Sequence, residues 1–273
     1  MNELRVVDLG QVPYSTALQW QKDLHAKRLN MEVPDVLLLL EHPHVYTLGR
    51  RFAREHLLMS DELLHERGID IQDADRGGSI TYHGPGQLVA YPIIDLRRPE
   101  RELPDAIRYL RVLEEAIIRT VRPFGVMATR REGRTGVWVG EDKLAAIGVN
   151  VSRGVSRHGL ALNVSTDLEF FTGMVPCGIS GAGVTSLQSL LGVSPSMSQV
   201  KELLARNLAK LLYRRIVAGD AEALGLVAEE RQKVVDLSAR KSAEKGPSSK
   251  RRAGRASKHS RQSPGSALGG DSR

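Results

Sequence analysis

The longest purely aliphatic run in the chain is Val36 to Leu40, and its length limits what can be built around it. It is far shorter than the ~20 residues a membrane-crossing helix needs. Because it does not alternate with polar residues, it reads as a strand buried in a core, Asp35 to Leu40, stopped at Glu41-His42-Pro43. The neighbouring segments supply the rest of that core. Leu4 to Leu9 alternates as a first strand, and Tyr14, Ala17, Leu18, Gln21, Leu24 and Arg28 recur at helical spacing. Ser60 can cap a short polar helix to Arg67 with Leu63 and Leu64 facing inward.

Leu88 to Ile94 is rich in β-branched and aromatic residues and reads as a strand. Pro104 fits a first helical turn, and Ile107, Leu110, Leu113, Ile117 and Val121 mark one face of a helix that Pro123 and Gly125 end. Three glycine-punctuated β runs follow, Gly136 to Val139, Ala145 to Val151 and Leu160 to Val164. Ser198 then caps a helix carrying Val200, Leu203, Leu204, Leu208, Leu211 and Leu212. Strands and helices mix without a regular βαβ rhythm, so an α+β (mixed α/β) single domain is expected rather than a Rossmann sheet.

Charge divides the 273 residues sharply. The net charge of +7 suggests a nucleic-acid binder, but ten of the 39 basic residues and only Glu244 and Asp271 of the 32 acidic ones lie in residues 238–273. The rest of the chain is nearly neutral, and the segment beyond Leu237 is Ser, Gly, Pro, Ala, Lys and Arg, with Leu268 its only large aliphatic residue. Such a composition cannot bury enough apolar surface to offset its conformational entropy, so residues 238–273 are expected to be a disordered basic tail behind a catalytic domain of 1–237. The start, Met1-Asn2-Glu3-Leu4-Arg5, has no apolar segment behind it and reads as carrying no secretory signal. The single cysteine, Cys177, excludes an internal disulfide and a multi-thiolate zinc site, and suits a reducing cytoplasm.

Chemistry concentrates in a few segments. Arg76-Gly77-Gly78-Ser79-Ile80-Thr81-Tyr82-His83-Gly84-Pro85-Gly86-Gln87 combines backbone freedom with polar side chains, as a ligand-binding loop would, although a plain glycine-rich hairpin has the same composition. It matches neither the Gly-x-Gly-x-x-Gly nor the Gly-Lys-Ser/Thr pattern, so dinucleotide and phosphate loops are not expected. Lys143 lies between a tryptophan-bearing run and an aliphatic one. It is either a solvated edge charge or a desolvated group that exchanges protons. Cys177, within Pro176-Cys177-Gly178, is either a small buried hydrophobe or a nucleophile in a turn whose following glycines offer N–H groups to an oxyanion. The eight histidines show no zincin spacing, and no metal site is expected. His83 and His158 are either polar groups of a pocket or histidines satisfied by backbone hydrogen bonds.

Taken together, Leu40 to Arg50, Arg76 to Gln87, Lys143 to Gly148, Arg157 to Asn163 and Pro176 to Gly178 resemble the octanoyl-carrier-protein:protein octanoyltransferases of lipoyl synthesis. The resemblance runs in order over roughly residues 5–215. It implies the fold of the lipoate and biotin protein ligases, a mixed sheet flanked by helices. It implies Cys177 as the acyl-thioester nucleophile and Lys143 as the group that activates it and acts as acid and base. Arg76 to His83, Ala146-Ile147-Gly148 and Gly159-Leu160-Ala161 are implied to contact the acyl substrate. Ala146 departs from the family, which often has serine there, so only its backbone is expected to take part.

Octanoyl-acyl carrier protein would be the donor. The acceptors would be lipoyl domains of 2-oxoacid dehydrogenases and the H protein of glycine cleavage. Transfer between a thioester and an amine through cysteine needs no ATP and no cofactor. Both protein partners are expected to be acidic, so three arginine clusters are candidate docking patches, with merely solvated loop arginines the alternative for each: Arg50, Arg51 and Arg54; Arg97, Arg98 and Arg101; Arg130, Arg131 and Arg134. Two alternatives are an ATP-dependent ligase on the same fold and a nucleic-acid binder using the tail, the latter disfavoured by the 4% aromatic content.

Overall fold

A computed structural model of the chain describes residues 3–97, 106–175 and 183–226. These belong to one compact unit, Met1–Val234. Pro104, Cys177 and the basic tail lie outside the described residues.

Among the described residues the main sheet has eight strands in the order β11-β1-β2-β6-β10-β9-β8-β7. They are β1 (Glu3–Gln11), β2 (Asp35–Glu41), β6 (Gln87–Ile93), β7 (Thr129–Arg131), β8 (Arg134–Val139), β9 (Asp142–Ser152), β10 (Val155–Asn163) and β11 (Arg215–Ala218). β1 runs parallel to β2 and β11, and the remaining pairs are antiparallel. A second sheet, β4-β3-β5, is formed by β3 (Val45–Leu48), β4 (Asp70–Asp73) and β5 (Ile80–His83).

The aliphatic run now has its reason. Side chains alternate across a strand, and in β2 Leu37 and Leu39 enter one core while Val36, Leu38 and Leu40 enter another. The first core is capped by α3 (Ala106–Val121) and α5 (Met197–Leu212) through Leu113, Ile117, Leu204 and Leu208, the second by α1 (Tyr14–Leu29) through Trp20 and Leu24. A sheet covered on both faces needs apolar residues at every central position, and so the pattern shows no alternation.

Most predicted elements are present, with local differences. In α2 (Asp61–Glu66) Ser60 accepts from the Leu63 N–H at 3.4 Å, but only Leu64 is buried and Leu63 faces solvent, since a helix this short presents one residue to the small sheet. Ile107 is 63% exposed, because the inward stripe of α3 begins at Tyr109. The N-cap of α5 is Ser196, not Ser198, and its hydroxyl bonds Ser198 instead of a backbone N–H. No helix among the described residues is long and apolar enough to cross a membrane.

Candidate active site

The site is built where the main sheet stops being complete. β8 pairs with β9 only as far as Ala145, so from Ala146 onward the outer edge of β9 has no strand beside it among the described residues. The Arg76–Ser79 loop takes that edge further along, where the Gly77 N–H donates to the Val149 carbonyl at 3.0 Å. Gly148 makes this possible: a Cβ there would lie 3.0 Å from the Gly77 oxygen and 3.1 Å from Arg76 Cδ. Between loop and edge lies a cavity of about 520 Å³.

Of the residues expected at the site, Lys143, Arg76 to Thr81, His83, Ala146 to Gly148 and Gly159 to Ala161 all line this cavity. Tyr82 does not. Strand alternation sends it into the small core, where its hydroxyl is 2.7 Å from His44 Nδ1 and its ring stacks on Phe170. Arg76 braces the loop: its guanidinium donates to the Ser79 carbonyl (3.0 Å) and to the carbonyl and hydroxyl of Thr47 (2.6 and 2.7 Å). The Ser79 hydroxyl lies 2.7 Å from His56 Nδ1.

Lys143 is half-buried, with Nζ 4.9 Å from the Trp138 ring centroid, a cation–π distance. Its methylenes cross Gly136, where a Cβ would lie 3.3 Å from Lys143 Cε and 2.6 Å from the Ala145 oxygen. The Gly136 N–H is itself held by the buried carboxylate of Glu114 at 3.2 Å. The Lys143 backbone bonds Gly183 (2.9 Å) and Thr185 (3.0 Å), and Val184 reaches the cavity wall. On the other side of residues 176–182, Met174 also lines the cavity. The described residues flanking the Cys177 segment thus both border it.

A polar, buried cluster stands behind another part of the wall, which Tyr14, His83, Tyr91 and His158 line. His42 Nδ1 lies 2.6 Å from the Val12 carbonyl, which can only accept, so Nδ1 carries the proton and Nε2 accepts from the Tyr91 hydroxyl at 2.8 Å. His83 Nδ1 likewise donates to Gln87 Oε1 at 2.7 Å, since the Gln87 amide nitrogen is committed to the Tyr82 carbonyl and Asn163. Burial holds both histidines neutral, His42 down to about 4 and His83 well below its ordinary value. His158, also lowered by burial, sits at φ +57° and donates through Nε2 to Asp75 at 2.6 Å. The His158 hydrogen bond, together with Arg157, keeps the Asp75 carboxyl far below the usual range. No group of three His, Cys, Asp or Glu side chains among the described residues is placed to hold a metal ion.

Sequence reasoning missed Tyr14, Tyr91 and Asp75. In the sequence Tyr14 is one residue of a helix face and Tyr91 a strand residue, and Asp75 carries no signal beyond its place before Arg76. Of the arginine clusters, Arg50, Arg51 and Arg134 border the cavity. Arg97 is engaged by Asp95 at 2.7 Å, Arg130 by Glu115 at 2.6 Å and Arg131 by Glu141. Arg98 and Arg101 lie outside the described residues.

A three-layer mixed sheet with a second small sheet roofing an open strand edge defines the fold class. A putative lipoate protein ligase from T. acidophilum with bound lipoic acid shares it, with a TM-score of 0.65 at 19% identity, covering 80% of this chain and 89% of that one. Residues 13–209 match the lipoyl protein ligase A/B catalytic domain, and the chain belongs to that family. Within it, the chain is similar to an octanoyltransferase of Solibacter usitatus, 49% identical over 211 residues (77% of this chain, 94% of the relative). An octanoyltransferase of Acidobacterium capsulatum is 49% identical over 208 residues (72% and 85%).

Proposed function

We propose that this chain is an acyltransferase that moves an octanoyl group from acyl carrier protein to a lysine of a lipoyl domain, including those of 2-oxoacid dehydrogenases and the glycine cleavage H protein. The likeness to octanoyltransferases over most of their length supports the activity. The observation that carries the mechanism is a cavity with Lys143 and both described flanks of the Cys177 segment on its wall.

The reaction has two halves. The Cys177 thiolate attacks the thioester carbonyl, the new S–C bond forms, and the carrier thiol leaves with a proton donated by Lys143. In the second half the acceptor lysine nitrogen attacks the acyl-cysteine, its proton passes to Lys143, and the Cys177 S–C bond breaks. N–H groups on the open edge of β9, which lines the cavity, serve the developing oxyanion. Arg50, Arg51 and Arg134 present positive charge to acidic partners at the cavity rim. We assign catalysis to residues 1–237 and place the protein in the cytoplasm, where a lone reactive cysteine stays reduced.

Intact-protein mass spectrometry after incubation with octanoyl-carrier protein tests this. Wild type gains one octanoyl group and Cys177→Ala gains none; labelling that survives in the variant overturns the nucleophile. Lys143→Ala slows both half-reactions by about 10²–10⁴-fold. Unchanged rates would return Lys143 to a surface charge.

A further inference from the structure

Two parts of the cavity wall come from segments far apart in the chain, the glycine loop and the approach to Cys177, and a third segment joins them. Residues 49–51 pair with the loop: the Gly49 N–H donates to the Ser79 carbonyl (2.8 Å), that of Arg50 to Arg76 (3.2 Å) and that of Arg51 to Gly78 (3.0 Å). Residues 56–58 pair with the approach. The Val175 N–H donates to the His56 carbonyl (2.8 Å), the Leu58 N–H donates to the Gly173 carbonyl (2.9 Å), and Leu57 bridges Met174. Ser79 and Met174 both line the cavity, and Val175 stands two positions before Cys177.

His56 is where the two pairings meet. It ends a single helical turn, Arg54–His56, is half-buried, and stands behind the cavity wall, not in it. The Ala53 N–H lies 3.2 Å from its Nδ1. An N–H can only donate, so Nδ1 carries no proton, and the Ser79 hydroxyl donates to it at 2.7 Å. Ser79 is 4% exposed, so this bond is made away from competing water. One residue therefore grips the loop with its side chain and Val175 with its backbone.

We propose that His56 is a positioning residue that locks the glycine loop to the approach to Cys177, and so keeps the bound thioester and the nucleophile in register without touching either. The inference rests on the octanoyl-transfer reading and goes beyond it by naming what aligns its two parts. A reacting pair misplaced by about 1 Å loses on the order of 10²-fold in rate, so a bond that couples these segments bears on turnover more than on folding.

Amide hydrogen exchange on the full chain reads the coupling directly. Ser79→Ala removes the loop's grip on the His56 ring and keeps the backbone pairings, and it should speed exchange of the Val175 and Leu58 N–H groups, on the far side of His56, roughly fivefold. Exchange in β2 reports global stability and should change less than about twofold. Unchanged exchange at Val175 overturns the inference, and so does an equal acceleration in β2, which would reduce the bond to general stability. Single-turnover acylation by octanoyl-carrier protein reads the consequence. His56→Ala should be acylated about tenfold or more slowly at saturating donor, with KM for the carrier within about twofold because the rim arginines are untouched. His56→Asn, whose Oδ1 can accept from both Ser79 and Ala53, should restore most of the rate. A folded His56→Ala protein acylated at the wild-type rate refutes the role, and an asparagine variant as slow as the alanine one assigns the loss to ring packing and refutes it too. If His56→Ala does not fold, the exchange result in Ser79→Ala decides alone. Coupled exchange in a protein that octanoyl-carrier protein does not acylate upholds the coupling and refutes the transferase reading.

Discussion

In the main sheet, every residue from Val36 to Leu40 is at most 2% exposed, and helices close both faces with aliphatic side chains. The small sheet has one apolar layer, around Tyr46, Ile80 and Tyr82, and its loop toward the cavity is fastened by Arg76 to Thr47 and Ser79, Ser79 to His56, and the Gly77 N–H to Val149. Apolar packing is non-directional and gives the main sheet its stability, whereas hydrogen bonds fix direction and hold the loop at a set distance from β9. The platform and the roof of the same cavity are therefore built with different physics. Damage to the first should appear as lost stability, and damage to the second as lost alignment of the substrate.

The largest effect is expected from a buried ion-pair network in the platform. Asp35 joins Arg28 (2.8 Å), Arg214 (2.7 Å) and the Asp95 N–H (3.0 Å), tying α1, β2 and the segment before β11 together. Asp35→Ala leaves Arg28 with only the more distant Asp95 carboxylate, at 3.4 Å, and removes the carboxylate that Arg214 engages, and should cost about 3–5 kcal/mol in urea unfolding. If the platform acts only through stability, octanoyl transfer by the folded fraction stays as it was.

Next comes acid. His42 lies at the seam between the sheets, and burial lowers it from 6.5 to about 4. In the unfolded chain it takes up a proton below about pH 6.5 that the fold refuses. Its contribution is therefore intact above that pH and is lost as pH falls toward 4, about 3 kcal/mol in all. His83 is shifted by burial in the same direction. Unfolding free energies measured from neutral pH to about pH 4 should fall steeply in wild type and less so in His42→Asn.

The smallest stability change is expected in the roof. Arg76→Lys retains charge but cannot serve Thr47 and Ser79 together. It should cost about 1–3 kcal/mol. Octanoyl transfer should nevertheless drop at least as far as a misplaced loop implies, about tenfold or more at saturating protein substrate. A variant that loses stability and transfer in equal proportion would erase the distinction between the sheets.

How much was legible follows from the same difference. Runs with strong periodicity, such as β2, α1, α3 and β9, are present close to where they were expected, because burial over many residues leaves a repeated mark. β3, β4 and β5 were not foreseen: Val45–Leu48 and Ile80–His83 are four residues each, and the second is hidden among glycines that read as loop. Leu63 and Ile107 carry the right residue type for a core but stand where no neighbour reaches them. Asp75 matters only through His158, Arg157 and Asn150, all at least 75 positions away in sequence.

By itself the sequence determined the family, the position of the cysteine and lysine, and the division of charge between body and tail, because these depend on residue identity and local spacing. Tertiary structure decided that β9 loses its described neighbour after Ala145, that the glycine loop seats on the freed edge, and that Tyr14 and His83 share the cavity wall. Those facts depend on pairing between distant strands, where register and close approach are set by the whole core and leave no pattern in any one segment.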